Sequence, residues 1–165
     1  MARSGKSSST NQSFLIWMGL AGLLLVIDQL TKIIAKNNLF EGVSQTVTSF
    51  LNWTLVYNSG AAFSFLAQAG GWQRWFFTGF GIIAALVMIW LIRKNSYQTI
   101  FSLALSLILS GAIGNVIDRI LYGAVVDFID LHYMAWHWPA FNIADSAITI
   151  GVILLIFDEI KRVNK

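Results

Sequence analysis

The sequence predicts an all-α integral membrane protein with four transmembrane helices and a small periplasmic, or extracytoplasmic, β-sheet region. The chain of 165 residues is 56% hydrophobic and only 12% charged, with a mean hydropathy of +0.67. A soluble core of this size does not need so much apolar surface. Four apolar stretches approach the roughly 20 residues that a helix needs to cross a bilayer. A segment of alternating apolar and polar residues between the first two stretches is typical of a strand.

The four predicted spans are residues 14–34, 72–92, 99–117 and 141–157. The first span begins like a secretory signal peptide, because Arg3 and Lys6 precede its apolar run. No small-residue cleavage site follows, so we expect it to remain as a membrane helix. Residues 1–12 are polar and rich in serine, which predicts a disordered cytoplasmic tail. Residues 13–165 are expected to form one transmembrane domain.

Basic residues predict the orientation in the membrane. Seven of the eleven lysines and arginines fall on one side if there are four spans: Arg3, Lys6, Arg93, Lys94, Lys161, Arg162 and Lys165. Cytoplasmic connections carry an excess of lysine and arginine. Both termini are therefore expected to lie in the cytoplasm.

The two outer connections differ in what they predict. In the first, Val47, Leu51, Trp53, Leu55 and Tyr57 alternate with polar residues, so a strand with one apolar face is expected there. The turn residues 58–60 end that strand. The second outer connection, residues 118–140, has a mixed pattern that leaves both strand and helix open.

The composition excludes several kinds of chemistry. The chain has no cysteine, hence no disulfide, thiolate nucleophile or cysteine-based metal site. It contains no zinc-protease or serine-hydrolase motif. His132 and His137 could form a metal pair, but interfacial side chains are the favoured interpretation, and no metal or cofactor is expected. The net charge of +3 lies mostly beside apolar segments, so we expect no nucleic-acid partner.

Polar residues gather at the outer level of the predicted bundle, and two of them are the strongest candidates for chemistry. Asp127 lies in the second outer connection, and Asp145 lies at the outer end of the last span. The others are Asp28, Lys32, Asn58, Asn115, Asp118, Arg119 and Asn142. A carboxylate at membrane depth is costly and indicates a functional site. Two that converge can share one proton and activate a water molecule.

Helix spacing supports a common site while leaving structural interpretations open. Asn115 and Arg119 are four residues apart, and Asn142 and Asp145 are three apart, so each pair shares a helix face. Asn115 could instead hydrogen-bond a neighbouring helix, and Asp145 could be an acidic residue favoured by the helix dipole.

Other acidic and amide residues have similar alternatives. Asp28 and Lys32 can form a structural i, i+4 salt bridge. Asp118, next to Arg119, can be an interfacial anchor or can support the site. Asn58 can be a turn residue, and Asp130 is expected to be a solvated loop acid.

Five short motifs identify a family resemblance. They occur in the order Asp28-Gln29-x-Thr31-Lys32, Asn58-Ser59-Gly60-Ala61-Ala62, Gly111-Ala112-Ile113-Gly114-Asn115-x-x-Asp118-Arg119, Val125-Val126-Asp127-Phe128 and Phe141-Asn142-Ile143-Ala144-Asp145. With these motifs the chain resembles the bacterial lipoprotein signal peptidases, also called signal peptidase II. Any one motif is weak, but five in the family's order, from the first span to the last, are highly specific.

The resemblance implies an intramembrane aspartic endopeptidase of the bacterial cytoplasmic (inner) membrane, with its active site at the outer face. Such enzymes remove the signal peptide from prolipoproteins, just before a cysteine that carries diacylglycerol. Asp127 and Asp145 would be the catalytic dyad, and Asp28 a nearby polar contributor. Substrate-binding or supporting residues would be Asn58, Gly60, Asn115, Arg119 and Asn142. The implied partners are these prolipoproteins, membrane lipids and globomycin-type inhibitors.

Two other classes of protein also place carboxylates within a membrane. A small four-helix transporter could use one for proton coupling, although transport sites usually lie at the membrane midplane. A non-catalytic assembly factor is the third class. Cleavage of a lipidated peptide by the purified protein separates an enzyme from both.

Overall fold

A computed structural model describes residues 4–60 and 70–164, with the side chains of the first helix described from residue 11. Its elements are α1 (Ser4–Asn38), β1 (Ser44–Thr46), β2 (Leu51–Asn58), α2 (Trp72–Asn95), α3 (Thr99–Tyr122), β3 (Val125–Tyr133), β4 (Trp136–His137) and α4 (Ile143–Val163). The protein is therefore mostly helical, with one small antiparallel sheet, as the sequence predicts.

Within the described residues, three helices are long and apolar enough to cross a membrane. These stretches are Asn11–Asn38, Trp72–Asn95 and Thr99–Tyr122. The fourth helix has 21 residues but carries Asp145 near its start and Asp158 and Glu159 near its end. These acids confine its uncharged stretch to residues 146–157. The membrane-helix character is confirmed, and the count of four spans stays a prediction.

All four helices extend beyond their predicted spans, as α1 and α3 illustrate. The first begins at Ser4, so residues 4–12 have helical backbone where the sequence predicts a disordered tail. Extending a formed helix is easier than starting one, and no proline interrupts this segment. Residues 1–3 of the predicted tail lie outside the described residues. Helix α3 continues past residue 117 to Tyr122 and ends at Gly123, whose φ of 82° favours glycine.

Helix α3 lies at the centre and packs against the other three helices. Glycine residues allow α3 and α4 to approach closely, because a Cβ at Gly111 would clash with the carbonyl oxygen of Ala144. A Cβ at Gly151 would similarly lie 2.7 Å from that of Ala104. Small residues of this kind bring membrane helices together. The outward faces carry exposed aliphatic and aromatic residues, including Leu23, Ile83 and Ile153.

The sheet has the order β1-β2-β3-β4, and every neighbouring pair is antiparallel. The predicted strand is present as β2, but its pairing with β3 shifts between Trp53 and Val56. This bulge breaks the expected alternation, so that Asn52 and Leu55 are both buried. The prediction of one continuous apolar face is therefore wrong across the bulge. The undecided second connection contains the end of α3 followed by β3 and β4.

Candidate active site

Asp127 lies on β3, the strand that follows α3 in the chain. Its neighbours Val125, Val126 and Phe128 are buried, and Asp127 itself is only 2% exposed. Oδ1 of Asp127 accepts a hydrogen bond of 2.7 Å from Nδ2 of Asn142. The carboxyl group is thus removed from bulk water and held by a partner from another element.

Asp145 is held by the first turn of α4. Asn142 is the N-cap, and its Oδ1 accepts from the backbone N–H of Asp145 at 2.9 Å. Oδ2 of Asp145 accepts in return from the backbone N–H of Asn142 at 3.3 Å. This reciprocal pair is a capping box, in which aspartate takes the place of the more common glutamate. The other oxygen, Oδ1, accepts from Nδ2 of Asn115 at 2.8 Å.

The two asparagines connect the two carboxyl groups. Nδ2 of Asn142 lies 3.4 Å from Oδ1 of Asn115, so one continuous path runs from Asp127 through both amides to Asp145. Both aspartates also line one cavity of about 740 Å³. Its apolar walls include Phe77, Phe80, Ala112, Val116, Phe141 and Ile148. The arrangement can present two carboxyl groups to one bound molecule in a largely apolar space.

The protonation of Asp127 differs from that of a solvated carboxyl group. Burial and the nearby charge of Asp145 raise the pKa of Asp127 from 3.8 to about 7. Hydrogen bonds from Asn58 and Asn142 and the charge of Lys32 act in the opposite direction. A carboxyl group that exchanges its proton near neutral pH suits acid–base chemistry, and such shifts concentrate at functional sites.

Arg119 connects the site to the end of β2. Its Nη2 donates to the carbonyl oxygen of Gly60 at 2.9 Å, and its guanidinium lies 5.2 Å from the ring centroid of Phe77. The turn itself is closed by the N–H of Gly60, which donates to Oδ1 of Asn58 at 3.0 Å. Asn58 and Arg119 both line the cavity. Residues 61 and 62 of this motif lie outside the described residues.

Asp28 belongs to a second polar cluster behind the aspartates. It is 1% exposed, and its Oδ1 accepts from the backbone N–H of Ala144 at 2.9 Å. The expected pair with Lys32 is present at 2.9 Å, and Lys32 also pairs with Asp118 at 2.8 Å. Asp118 is fully buried and accepts from the backbone N–H of Val126, so it is not an interfacial anchor.

Lys32 has more partners than its position in the sequence predicts. Its Nζ donates to Oδ1 of Asn115 at 3.1 Å, which joins the second cluster to the path between the aspartates. A lysine within an apolar span was the available signal, since such a charge needs partners from several helices. The i, i+4 spacing along α1 predicted only the pair between Lys32 and Asp28.

The prediction that Asp130 is a solvated loop acid is wrong. Asp130 lies on β3 and is 6% exposed, and it accepts from Nδ2 of Asn52 at 3.0 Å and contacts Nδ1 of His137 at 2.8 Å. Burial alone would raise the pKa of Asp130, but these contacts outweigh burial and lower it. The strand pairing brings the three residues together, and the local sequence does not show this.

The two histidines form a stacked pair. The ring centroids of His132 and His137 are 5.2 Å apart, with 24° between the ring planes. Within residues 4–60 and 70–164, no group of three or more histidine, cysteine or acidic side chains could hold a metal ion. That the protein needs no metal remains a prediction.

The chain is similar over most of its length to known proteins. The model of the family described as "Signal peptidase (SPase) II" matches residues 20–161. The lipoprotein signal peptidase of Paraburkholderia phytofirmans is 56% identical over 159 residues, covering 96% of this chain and 92% of that protein. The lipoprotein signal peptidase of a Janthinobacterium species is 56% identical over 165 residues and covers 100% of both chains.

Solved structures show the same fold. Two chains described as bacterial membrane enzymes match with TM-scores of 0.79 and 0.76, each at 38% sequence identity. Each match covers 88% of this chain, and they cover 88% and 93% of the solved chains. With a family model over most of its length and relatives at more than half identity, the chain belongs to the signal peptidase II family of membrane proteases.

Proposed function

We propose that this protein is an intramembrane aspartic endopeptidase that removes the signal peptide from diacylglyceryl-modified prolipoproteins, cutting just before the lipidated cysteine. One observation carries the proposal: Asp127 and Asp145 line the same cavity and are joined through Asn142 and Asn115. Membership of the signal peptidase II family supplies the substrate class. The aspartic mechanism follows from the paired carboxyl groups.

In this mechanism the two carboxyl groups share one proton. The ionised one takes a proton from a water molecule, which attacks the scissile carbonyl carbon. The protonated one donates its proton to the carbonyl oxygen. The tetrahedral intermediate then collapses and its carbon–nitrogen bond breaks. The carboxyl group that took the proton from water gives it to the leaving amine, and the other carboxylate recovers a proton from the intermediate's hydroxyl group. Two carboxylates close together cannot both ionise easily, so the single-proton state persists near neutral pH. The pKa of about 7 for Asp127 supports a dyad that holds one proton near neutral pH.

The amide groups hold the two carboxyl groups in fixed directions. Asn142 uses its amide nitrogen on Asp127 and its side-chain oxygen on the backbone of Asp145. Asn115 supplies the hydrogen bond to Asp145. Preorganised groups of this kind lower the cost of reaching the transition state. Arg119, held over Phe77, supplies positive charge beside the dyad.

The cavity suits an apolar substrate. Its walls are mainly aromatic and aliphatic residues from α2, α3 and α4. A signal peptide lies within the bilayer, and the diacylglyceryl chains of its cysteine are apolar as well. The cavity therefore offers space for groups that enter from the lipid. Globomycin-type inhibitors are proposed to bind in the same cavity.

We further propose four spans, with both termini in the cytoplasm of a bacterial inner-membrane protein and the dyad at the outer face. The positions of the basic residues support this orientation, since Arg93 and Lys94 end α2 and Lys161 and Arg162 end α4. Trp17, near the start of the first apolar stretch, donates to the backbone of Ser96 in the same region. The sheet, which contains Asp127 on β3, lies at the other end of the helices.

Substitution of each aspartate tests the proposed chemistry. Asp127→Asn and Asp145→Asn keep the side-chain shape but can neither share a proton nor act as a base. Each is expected to lower cleavage of a diacylglyceryl-modified peptide by on the order of 10⁴-fold or more, with the double variant little worse. Asp158→Asn is the matched control, because Asp158 lies on the same helix but pairs with Arg162.

Binding of globomycin to each variant shows that the protein is folded. A single-aspartate variant that binds the inhibitor and retains near-normal cleavage would refute the dyad. Wild-type protein that does not cleave the lipidated peptide would favour the transporter or assembly-factor classes instead.

A further inference from the structure

Lys32 is a buried lysine with every hydrogen-bond donor in use. It is 2% exposed, and its ammonium contacts Asp28 Oδ2 at 2.9 Å, Asp118 Oδ2 at 2.8 Å and Asn115 Oδ1 at 3.1 Å. An ammonium group has three N–H donors, and there are three acceptors here. A lysine with a purely structural role would need only the ion pairs with Asp28 and Asp118. The third contact is to a residue that touches the catalytic dyad.

The contact with Lys32 decides which way the Asn115 amide points. Oδ1 of Asn115 accepts from Lys32, which leaves Nδ2 free to donate to Asp145 at 2.8 Å. In the reversed orientation, the NH₂ group would face the ammonium and the amide oxygen would face the carboxylate. Both contacts would then be repulsive. Lys32 therefore selects the orientation in which Asn115 stabilises the ionised form of Asp145.

The charge of Lys32 also acts on the dyad. Lys32 pairs with Asp28 on α1 and Asp118 on α3, and its charge also acts on Asp127 on β3 and Asp145 on α4. Arg119 on α3 is a second positive charge that acts on the same two dyad aspartates. The positive charge of Lys32 opposes the rise in the pKa of Asp127 that burial and Asp145 cause. Charges between buried groups such as these are poorly screened.

We propose that Lys32 is a positioning residue of the proteolytic site, which orients Asn115 towards Asp145 and whose charge favours the ionised form of one dyad carboxyl group. The inference rests on the proposed aspartic mechanism. It differs from a purely structural role, in which Lys32 would only neutralise Asp28 and Asp118.

The test is the pH dependence of cleavage by Lys32→Met, measured on a diacylglyceryl-modified peptide. Methionine keeps much of the length and apolar stem of lysine but has no charge. The turnover rate is expected to fall by roughly 10- to 100-fold because Asn115 loses its orientation. The alkaline midpoint of the pH profile is expected to move up by roughly one unit, because a nearby favourable charge is removed.

Two further variants sharpen the test. Lys36→Met is the matched control, since Lys36 lies one turn further along α1 and stacks over Tyr122 at 3.3 Å. Its profile is expected to match the wild type. Asp118→Asn keeps Lys32 but removes a negative charge beside it, so its alkaline midpoint is expected to move down. If the Lys32–Asp118 ion pair only supported the fold, Lys32→Met and Asp118→Asn would not move the alkaline midpoint in opposite directions.

The outcomes separate the two proposals. Active wild-type protein with an inactive Asp127→Asn variant establishes the dyad, and the Lys32 profiles are then read against it. An unmoved midpoint in a folded Lys32→Met variant overturns the positioning role, whatever the rate. If Lys32→Met does not accumulate, an unmoved or raised midpoint in Asp118→Asn overturns it. Cleavage that persists in Asp127→Asn would overturn both proposals.

Discussion

Asn142 and Asp145 are joined by two hydrogen bonds. The backbone N–H of Asp145 donates to Oδ1 of Asn142 at 2.9 Å, and the backbone N–H of Asn142 donates to Oδ2 of Asp145 at 3.3 Å. The pair begins α4 and at the same time fixes the direction of the Asp145 carboxylate. The remaining amide group of Asn142 then reaches Asp127 at 2.7 Å. Helix capping and dyad geometry are thus two uses of one side chain.

Substitutions at Asn142 should separate these two uses. Asn142→Ser retains a cap oxygen but has no amide group to donate to Asp127. Asn142→Ala loses the cap as well, which should cost about 1 kcal/mol more in stability. Both variants are expected to lose most cleavage activity, while the alanine variant loses more thermal stability than the serine variant. Thermal unfolding in detergent and peptide cleavage check this, and equal stability of both variants would contradict the capping role.

The raised pKa of Asp127 predicts that cleavage declines above neutral pH. As pH rises through about 7, Asp127 gives up its proton and the dyad loses the acid that it needs. The pH dependence of turnover between pH 5 and 9 measures this. Asp158→Asn should show the same decline, since Asp158 pairs with Arg162. A flat profile across this range would contradict the assignment.

The same pKa makes a prediction about stability. The folded-state value of about 7 lies above the ordinary 3.8, so folding favours the protonated form of Asp127. The stabilisation that comes from protonated Asp127 is complete below its ordinary pKa of 3.8. It is lost as pH rises through the folded-state pKa of about 7. Wild-type protein should therefore lose more thermal stability between pH 5 and 8 than Asp127→Asn. Parallel losses in the two proteins would contradict this.

Packing of α3 against α4 predicts a steric effect at Gly111. A Cβ there would meet the backbone of Ala144, next to Asp145, so Gly111→Ala must displace the start of α4. We expect a loss of roughly 1–3 kcal/mol in stability and a drop in cleavage. Gly79→Ala is the control, because nothing lies within 4 Å of its Cβ position. Equal melting temperatures and activities of the two variants would show that the helices are not so closely packed.

Membrane orientation is testable with reporter fusions. A reporter inserted at the exposed turn of Gly42 should be active only outside the cytoplasm. One fused after Lys165 should be active only inside. The expectation rests on the basic residues at the ends of α2 and α4. An externally active C-terminal fusion would contradict the four-span layout and the outer location of the dyad.

Composition and short-range patterns determine much of this protein. Apolar runs predict the membrane helices because their length must match the bilayer. The polar residues in the motifs predict that Asp127, Asp145, Asn115 and Asn142 belong to one site, and the structure brings these four side chains together. The resemblance found in those motifs agrees with the family match over residues 20–161.

The hydrogen-bond partners of the polar residues depend on how the elements pack in three dimensions. The bulge in β2, the burial of Asp130 and the part played by Lys32 all depend on contacts between residues far apart in the sequence. Periodicity describes one element at a time, whereas a buried polar group is satisfied by whichever elements pack around it. Composition and residue patterns thus predict the membrane helices and the candidate polar residues, whereas the packing of α1, α3, α4 and β3 sets the hydrogen-bond partners of those residues.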